Sequence, residues 1–281
     1  MTHTIRQLAV VNRKLLIGGS LFTGLLLFIF LTPLIAQKDP NAIDLMQIEQ
    51  PPSPEHWFGT DSLGRDILAR TAAGGKISLA VGIAATSIRT LIAVLLGFAA
   101  GFSKKADAVL MRIIDVLLCF PFYVLALSVM VFLGNSLVNL IMVIAFFTFA
   151  PSARLIRTEV LAIKDREFIQ ICRINGESNV RILFRHIVPL LRNTIAVIFT
   201  TSVAQAVLME SSLSFLGMGI QEPQASWGSM LSITLDIMNI GSKWYIWLSA
   251  GVCIILMTYS VHLIGEGITS AANREGVRDL S

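Results

Sequence analysis

The polar side chains of Thr201, Gln205, Glu210 and Ser212 are among those that interrupt the largely apolar stretch at residues 190–216. An ionisable group within a membrane segment marks a path for a polar solute or an ion by default. Hydroxyl and amide groups can also take the place of the water that hydrates such a solute. We therefore expect this stretch to line a translocation path. Hydrogen bonding between membrane helices uses the same residue types and is the alternative.

The sequence contains no recognisable catalytic or metal-binding pattern. Its three cysteines and four histidines are scattered, and it has no C-x-x-C, H-E-x-x-H, G-x-S-x-G or G-x-x-x-x-G-K-[ST] motif. These residues are Cys119, Cys172, Cys253, His3, His56, His186 and His262. We therefore expect no catalytic residue, no metal ligand and no phosphate-binding loop for ATP in this chain.

The composition places these residues in a membrane protein. Hydrophobic residues make up 54% of the 281 positions and charged residues only 14%, whereas soluble domains carry about 25% charged residues. Apolar runs long enough to cross a bilayer as helices are predicted at residues 15–36, 77–102, 109–133, 137–153, 190–216 and 244–268. The expected fold is an all-α polytopic membrane protein with six transmembrane helices.

Six spans put both termini on one side of the membrane. The cytoplasm is the favoured side, because most of the 22 Lys and Arg residues then lie inside. The predicted organisation is an inside terminus at 1–14, a first span at 15–36, an outside segment at 37–76, five core helices at 77–270 and an inside tail at 271–281. Topology thus explains the net charge of +4, and we expect no nucleic acid partner.

The outside segment ends in a run of turn and cap residues. Gly59 and Gly64 permit tight turns, and residues 60–62 are natural helix caps. We expect a capped loop followed by a short interfacial helix that begins near Ile67. In the next outside segment, Trp227 is expected in the aromatic belt at the outer membrane interface.

The inside segment at residues 153–190 has the pattern of two short helices. Apolar residues follow helical spacing from Phe168 to Ile174, Gly176 suits the left-handed end of that helix, and Ser178 suits the cap of the next. No lipid covers the apolar face of the first helix. That face either packs beneath the membrane bundle or docks into a groove on another protein, and the residue pattern favours neither.

Three stretches together resemble the inner-membrane permease subunits of ATP-binding-cassette importers, and within them the second permease of the dipeptide, oligopeptide and nickel group. The first stretch is His56-x-x-Gly59-Thr60-Asp61-x-x-Gly64-Arg65-Asp66, followed by Arg70 and Ser78-Leu79. The second is the cytoplasmic EAA loop, with Glu167, Gly176 and Pro189 at the family's relative spacing. The third runs from Ser212 to Gly219 and continues with Pro223 and Ser226-Trp227-Gly228. The resemblance covers residues 38–270.

The resemblance implies a type I importer permease fold whose coupling helices seat in a cytoplasmic ATPase. The residues it implies in ATPase coupling are Glu167, Phe168, Ile171, Cys172, Arg173, Gly176 and Pro189. The residues it implies in receiving a substrate-binding protein are His56, Gly59, Asp61, Arg65, Asp66 and Trp227. ATP-driven closure of the ATPases would draw the coupling helices together and switch the spans between inward-facing and outward-facing forms.

The resemblance also implies partners and a location. The assembly would contain a second permease subunit, two cytoplasmic ATPase subunits and an extracytoplasmic substrate-binding protein, in the lipid of the cell inner membrane. ATP and magnesium would be held by the ATPase subunits, and this chain would hold no cofactor of its own.

Some of the predicted spans contain charged residues, which need partners of opposite charge. Asp115 lies three residues after Arg112, so we expect these two to pair along one helix face. Arg89 is expected to pair with an acidic residue on another helix or with the partner permease.

Two alternative functions remain open at this stage. Within the same class, the chain would serve uptake of nickel or another metal as a chelate rather than uptake of peptides. In a different class, it would be an ion-coupled secondary transporter, which predicts inverted repeats and broken helices around a site at the membrane midplane. No internal repeat is evident in the sequence, and the inside segment would then have no explanation. A membrane enzyme would need catalytic residues that the sequence lacks.

Overall fold

A computed structural model describes residues 2–278 of the chain and the side chains of residues 13–270. The helices are α1 (Thr2–Ala36), α2 (Ile67–Phe102), α3 (Lys104–Leu118), α4 (Phe122–Leu133), α5 (Leu137–Lys164), α6 (Glu167–Ile174), α7 (Asn179–Ile182), α8 (Val188–Phe215), α9 (Trp227–Leu231), α10 (Ile237–Ser242) and α11 (Trp244–Arg278). A π-helical turn at Leu183–Ile187 joins α7 to α8, and a 3₁₀ turn at Ser232–Leu235 follows α9. No β-strand occurs in this part of the chain. The expected tails, residues 1–14 and 271–281, lie almost entirely outside the residues with described side chains.

The expectation of an all-α membrane protein is confirmed. Five described helical stretches are long and apolar enough to cross a membrane, namely α1 from Arg13 onward, α2, α5, the stretch Asn179–Phe215 and α11. The helices α3 and α4 make a sixth span if this bent pair counts as one.

The span predicted at residues 109–133 is not one continuous helix. It is two helices, α3 and α4, which meet at an angle of 89°. The break lies at Pro121, which has no N–H for a helical hydrogen bond and takes the extended N-cap position of α4. The apolar composition continues across the break, so hydropathy alone does not reveal it.

The predicted boundaries of two other spans are also corrected. The span expected from residue 77 begins at Ile67, because Asp66 caps α2 by accepting a hydrogen bond from Ala69 N at 2.9 Å. The expected interfacial helix is therefore the first turn of this span, and residues 60–62 do not cap it. The span predicted to end near Pro151 continues as α5 to Lys164, with this proline inside the helix.

The central helix of the bundle is α2, which contacts α1, α3, α5, α8, α9 and α11. Its glycines permit this because they let neighbouring helices approach closely. A Cβ atom at Gly97 would lie 2.8 Å from Ile156 Cγ2, and one at Gly101 would lie 2.9 Å from Val160 Cβ. These two glycines form a G-x-x-x-G pattern against α5.

We predict that Gly97→Leu separates α2 from α5 and lowers the free energy of unfolding by at least about 1–3 kcal/mol, the usual cost of overpacking. The measurement is thermal unfolding of the purified chain in detergent. Gly19→Leu is the matched control, because a Cβ atom at this position in α1 meets no neighbour within 4 Å. Equal melting temperatures for the two variants would contradict the packing argument.

Candidate functional site

The segment at residues 153–190, which was predicted to lie inside and is called the inside loop below, presents an apolar surface on a helix that is anchored to the bundle. Ile169 of α6 is completely buried in a cluster with Ile163 of α5 and Ile182 of α7. On the other faces of α6, Ile171 is 56% exposed and Ile174 is 83% exposed. One residue of α6 therefore packs beneath the bundle, which was the first alternative left open by the sequence, and the remaining apolar face is uncovered.

The turn after α6 is fixed by its backbone. Gly176 has φ +78°, as expected for the left-handed residue that ends a helix. Gly176 N donates to Arg173 O at 3.0 Å, and Glu177 N donates to Cys172 O at 3.1 Å. These two bonds form a Schellman motif. Ser178 then caps α7 by accepting from Arg181 N at 3.3 Å, also as expected.

The other predicted coupling residues surround this helix and turn. Glu167, Phe168 and Arg173 are exposed on α6. Pro189 is exposed in the first turn of α8, directly after the π-helical turn. Cys172 is half-buried and faces His186, with 3.7 Å between Sγ and Nε2. The sequence offered no sign of this last contact, because the two residues belong to different helical segments.

Two of the four predicted path residues lie beside adjoining open cavities. Gln205 and Ser212 of α8 are seven residues apart, which places them on one face of the helix. Gln205 lines a cavity of about 450 Å³ together with Arg89 and Tyr123. Ser212 lines a neighbouring cavity that shares Tyr123. Thr201 lies nearer the start of α8, in a separate pocket with Lys14 of α1 and Glu266 of α11.

Arg89 of α2 brings a positive charge to the first of these cavities. Its Nη1 donates to Gln205 Oε1 at 3.1 Å, and its Nη2 donates to Ser152 Oγ of α5 at 3.1 Å. The expected acidic partner is not found among the described side chains, since both partners are neutral. Arg89 is only 7% exposed, and its Nε has no hydrogen-bond partner in this part of the chain.

Glu210 lies on the opposite, buried face of α8, so it does not line a path in this conformation. It is completely buried and accepts hydrogen bonds from Ser78 of α2 at 2.8 Å and from Ser214 at 2.8 Å. Ser78 Oγ also accepts from Trp227 N at 3.3 Å. This carboxyl group therefore joins α2, α8 and α9, which is the helix-packing role that the sequence left as the alternative.

The predicted docking residues hold the outside segment together. Asp61 Oδ1 accepts from Arg65 N at 3.0 Å, and Asp61 Oδ2 accepts from Arg65 Nε at 2.7 Å. Arg65 and Arg70 also pair with Glu222, which follows α8. Gly59 and Gly64 have φ +79° and +72° and turn the chain tightly around these groups. We call this set of contacts the outer cluster.

A second set of contacts joins the outer cluster to the start of the segment. Asp66 Oδ2 binds Lys38 Nζ at 3.0 Å and His56 Nδ1 at 2.8 Å. Burial opposes the carboxylate form of Asp66, but the Ala69 amide, Lys38 and His56 together outweigh burial and lower its pKa. Asp66 therefore stabilises the fold above its unfolded pKa and loses that effect as the pH falls through the lower folded pKa.

The predicted docking residues of the outside segment have largely buried side chains. His56, Asp61, Arg65 and Asp66 have side chains no more than 15% exposed, so in this conformation they offer little surface to a partner.

Burial opposes the positive charge on Arg65. The hydrogen bonds and negative charges of Glu222 and Asp61 outweigh burial and raise the pKa of Arg65.

Trp227 is not in an interfacial belt. It is completely buried, and its Nε1 donates to Thr71 O at 3.0 Å.

One further pairing differs from the expectation. Asp115 of α3 pairs with Arg154 of α5 rather than with Arg112. A parallel contact joins the same helices, with Arg157 Nε at 2.5 Å and Arg157 Nη2 at 2.6 Å from the two oxygens of Asp107. These ion pairs tie α3 to α5, whereas the expected pair would have stayed within one helix.

Comparison with known proteins identifies the family. The family described as binding-protein-dependent transport system inner membrane component matches residues 91–272. The chain is 36% identical to a protein of Brucella suis biovar 1 whose name describes it as a peptide permease, over 92% of this chain and 86% of that protein. It is 34% identical to the oligopeptide transport system permease protein OppC of Bacillus subtilis, over 92% of this chain and 85% of that protein.

We predict that Glu210→Ala lowers the free energy of unfolding by about 1–3 kcal/mol or more, because buried hydroxyls lose their acceptor. Thermal unfolding in detergent measures the effect. Ser212→Ala is the control two residues away, since among the described residues the Ser212 hydroxyl bonds only to Leu208 O of its own helix, at 2.8 Å. The buried-network assignment fails if the Glu210 variant melts at the same temperature as the control.

Proposed function

Because the chain belongs to the family of binding-protein-dependent transport system inner membrane components, we propose that it is the permease subunit of an ATP-binding-cassette importer for peptides. The observation that carries the proposal is the similarity along nearly the whole chain to relatives named peptide and oligopeptide permeases. Family membership itself makes the chain a multi-pass transporter component of the inner membrane that works with a binding protein.

The uncovered face of α6 is the proposed contact with an ATPase subunit. Phe168, Ile171 and Ile174 are 40%, 56% and 83% exposed, and they lie at the inside end of the bundle. Complete burial of a fully exposed side chain of this size contributes about 1.5–3 kcal/mol, and these partly exposed side chains contribute a share of it in proportion to their exposed area. Glu167 and Arg173 flank the apolar residues and supply charges at the rim, where they favour one orientation of the partner.

The attachment of α6 to the bundle gives the proposed contact with the ATPase subunit a mechanical role. Ile169 joins α6 to α5 and α7, so a displacement of α6 moves those helices as well. The π-helical turn continues α7 directly into α8. The helix α8 carries Gln205, so movement that begins at the inside loop reaches the cavity beside Arg89.

The cavities beside α8 are the proposed translocation path. Gln205, Ser212 and the guanidinium of Arg89 offer donors and acceptors for the peptide groups of a substrate. Tyr123 and Leu208 border both cavities and offer apolar surface to its side chains. A path between two permease subunits would be completed by the second subunit, facing these open cavities.

The remaining features of the proposed assembly follow from the family and the charge distribution. A second permease subunit, two ATPase subunits and a substrate-binding protein complete the importer, and ATP and magnesium belong to the ATPase subunits. The concentration of Lys and Arg in the segments assigned to the inside supports cytoplasmic termini. In this orientation α6 faces the ATPases and the outer cluster faces the binding protein.

We predict ATP-dependent accumulation of a labelled peptide in proteoliposomes that contain this chain with its partner permease and ATPases, when the binding protein is supplied. Accumulation of a nickel chelate without any peptide would overturn the substrate assignment. Accumulation driven by an ion gradient without ATP would overturn the transporter class.

We predict that Gly176→Val uncouples ATP hydrolysis from peptide uptake in the same proteoliposomes. A left-handed backbone costs an L-residue roughly 1–2 kcal/mol, which reduces the population of this turn by about 5–30-fold. No atom lies within 4 Å of a Cβ built at this position, so backbone conformation is the relevant effect.

Gly176→Asn is the matched control, because asparagine tolerates the left-handed conformation. It should retain most of the uptake. Equal uptake by the valine and asparagine variants would count against a coupling role for this turn.

A further inference from the structure

Three side chains with metal-binding atoms converge beside the coupling helix α6. Cys172 Sγ lies 3.7 Å from His186 Nε2, and His186 Nε2 lies 3.3 Å from Glu177 Oε2. All three atoms lie within 4.8 Å of one another, and all three residues are half-buried. A thiol, an imidazole and a carboxylate on different segments thus point at a common position.

Two of these separations, between Sγ and Nε2 and between Nε2 and Oε2, match those of a tetrahedral zinc site. Zinc binds sulfur at about 2.3 Å, imidazole nitrogen at about 2.0 Å and carboxylate oxygen at about 2.0 Å. Tetrahedral angles then place sulfur about 3.5 Å from nitrogen, and nitrogen about 3.3 Å from oxygen. A cation could therefore enter between the three atoms with only small side-chain movements.

The backbone holds the three residues in place. Cys172 lies in the last turn of α6, and Glu177 follows the left-handed Gly176, with Glu177 N bonded to Cys172 O at 3.1 Å. His186 lies in the π-helical turn before α8, where Ile187 is completely buried. π-Helical turns are frequent at functional sites because they redirect one side chain within a helix.

We propose that Cys172, Glu177 and His186 bind a divalent transition metal ion, with zinc the best match, and leave the fourth coordination position to water. The combination of thiolate, imidazole and carboxylate favours zinc or cobalt over magnesium and calcium, which take oxygen ligands. This inference replaces the expectation of no metal ligand, which rested on the wide spacing of these residues along the sequence. It does not depend on the proposed transport function.

An occupied site would cross-link the inside loop. The metal would join the end of α6 to the start of the α8 segment and enclose the Gly176 turn. Such a link restricts the loop in addition to the hydrogen bonds already present. The shape of the coupling surface would then depend on the availability of the metal.

The competing explanation is a simple hydrogen-bonded cluster. His186 Nε2–H donating to Glu177, beside a protonated Cys172 thiol, fits the same distances. The two explanations differ in chemistry, because a metal site requires a deprotonated thiol and an unprotonated Nε2. Metal binding must therefore release protons and create a bond between the metal and sulfur.

The test uses the purified full-length chain in detergent, titrated with Co²⁺ and then with Zn²⁺. We expect one Co²⁺ per chain, an absorption band from charge transfer between the Cys172 thiolate and cobalt, and loss of that band when Zn²⁺ displaces Co²⁺. Cys172→Ser and His186→Gln should each remove the band. Cys119→Ser and His262→Gln are matched controls that remove the same residue types elsewhere and should retain it.

A second measurement needs no variant, which guards against misfolding. Zn²⁺ should slow alkylation of Cys172 at least about tenfold and leave alkylation of the exposed Cys119 unchanged, as site-resolved mass spectrometry would show. The absence of a thiolate–cobalt band in the unmodified chain would overturn the proposal. So would equal alkylation of Cys172 with and without Zn²⁺, or a band that survives in Cys172→Ser.

Discussion

The close approach of helices to the glycines of α2 is the constraint on which the rest of the bundle depends. A Cβ atom at Gly75 would lie 2.8 Å from Trp227 Cζ2, and one at Gly82 would lie 2.6 Å from Val207 Cγ2. Gly97 and Gly101 let α5 approach α2 equally closely. Apolar burial does not drive helices together in lipid, so contact depends on packing and on hydrogen bonds, and both need short distances between helices.

This close packing also brings hydrogen-bond partners to the polar side chains at successive positions along α2. Arg70 meets Glu222, Ser78 meets Glu210, and Arg89 meets the amide of Gln205. A buried polar group without a partner is costly, and water is absent from the lipid core, so the contacts of Ser78 and Arg89 fix where α2 stands relative to the chain beyond residue 200. Arg70 is also buried, but its partner Glu222 is 62% exposed. The outer cluster and the Arg89 cavity are the two ends of this set of contacts.

Local patterns in the sequence predicted the features that local physics determines. The helical class, the left-handed Gly176 and the Ser178 cap follow from residue types within one or two turns. The burial of Trp227 and the partner of Asp115 were missed, because each depends on which face of one helix meets another. The break at Pro121 has a local cause, but the apolar composition continues across it and hides it from a hydropathy argument. Cys172 and His186 lie 14 residues apart on segments that fold back on each other, so their spacing resembles no metal motif. The roles of the docking and coupling residues remain predictions, although the structure gives their positions.

The contacts of Arg89 indicate how motion at the inside loop would change the cavity. Ser152 belongs to α5 and Gln205 to α8, and these are the helices to which the inside loop is joined, through Ile169 and through the π-helical turn. One guanidinium on α2 bonds to both. A displacement of α5 relative to α8 therefore lengthens at least one of these two bonds, because α2 cannot follow both helices at once. The guanidinium, whose Nε already lacks a partner among the described side chains, would then have a further open donor beside the cavity, and a peptide carbonyl or carboxylate can accept its hydrogen bond. The position of the inside loop would thus determine how many hydrogen-bond donors Arg89 offers to the cavity.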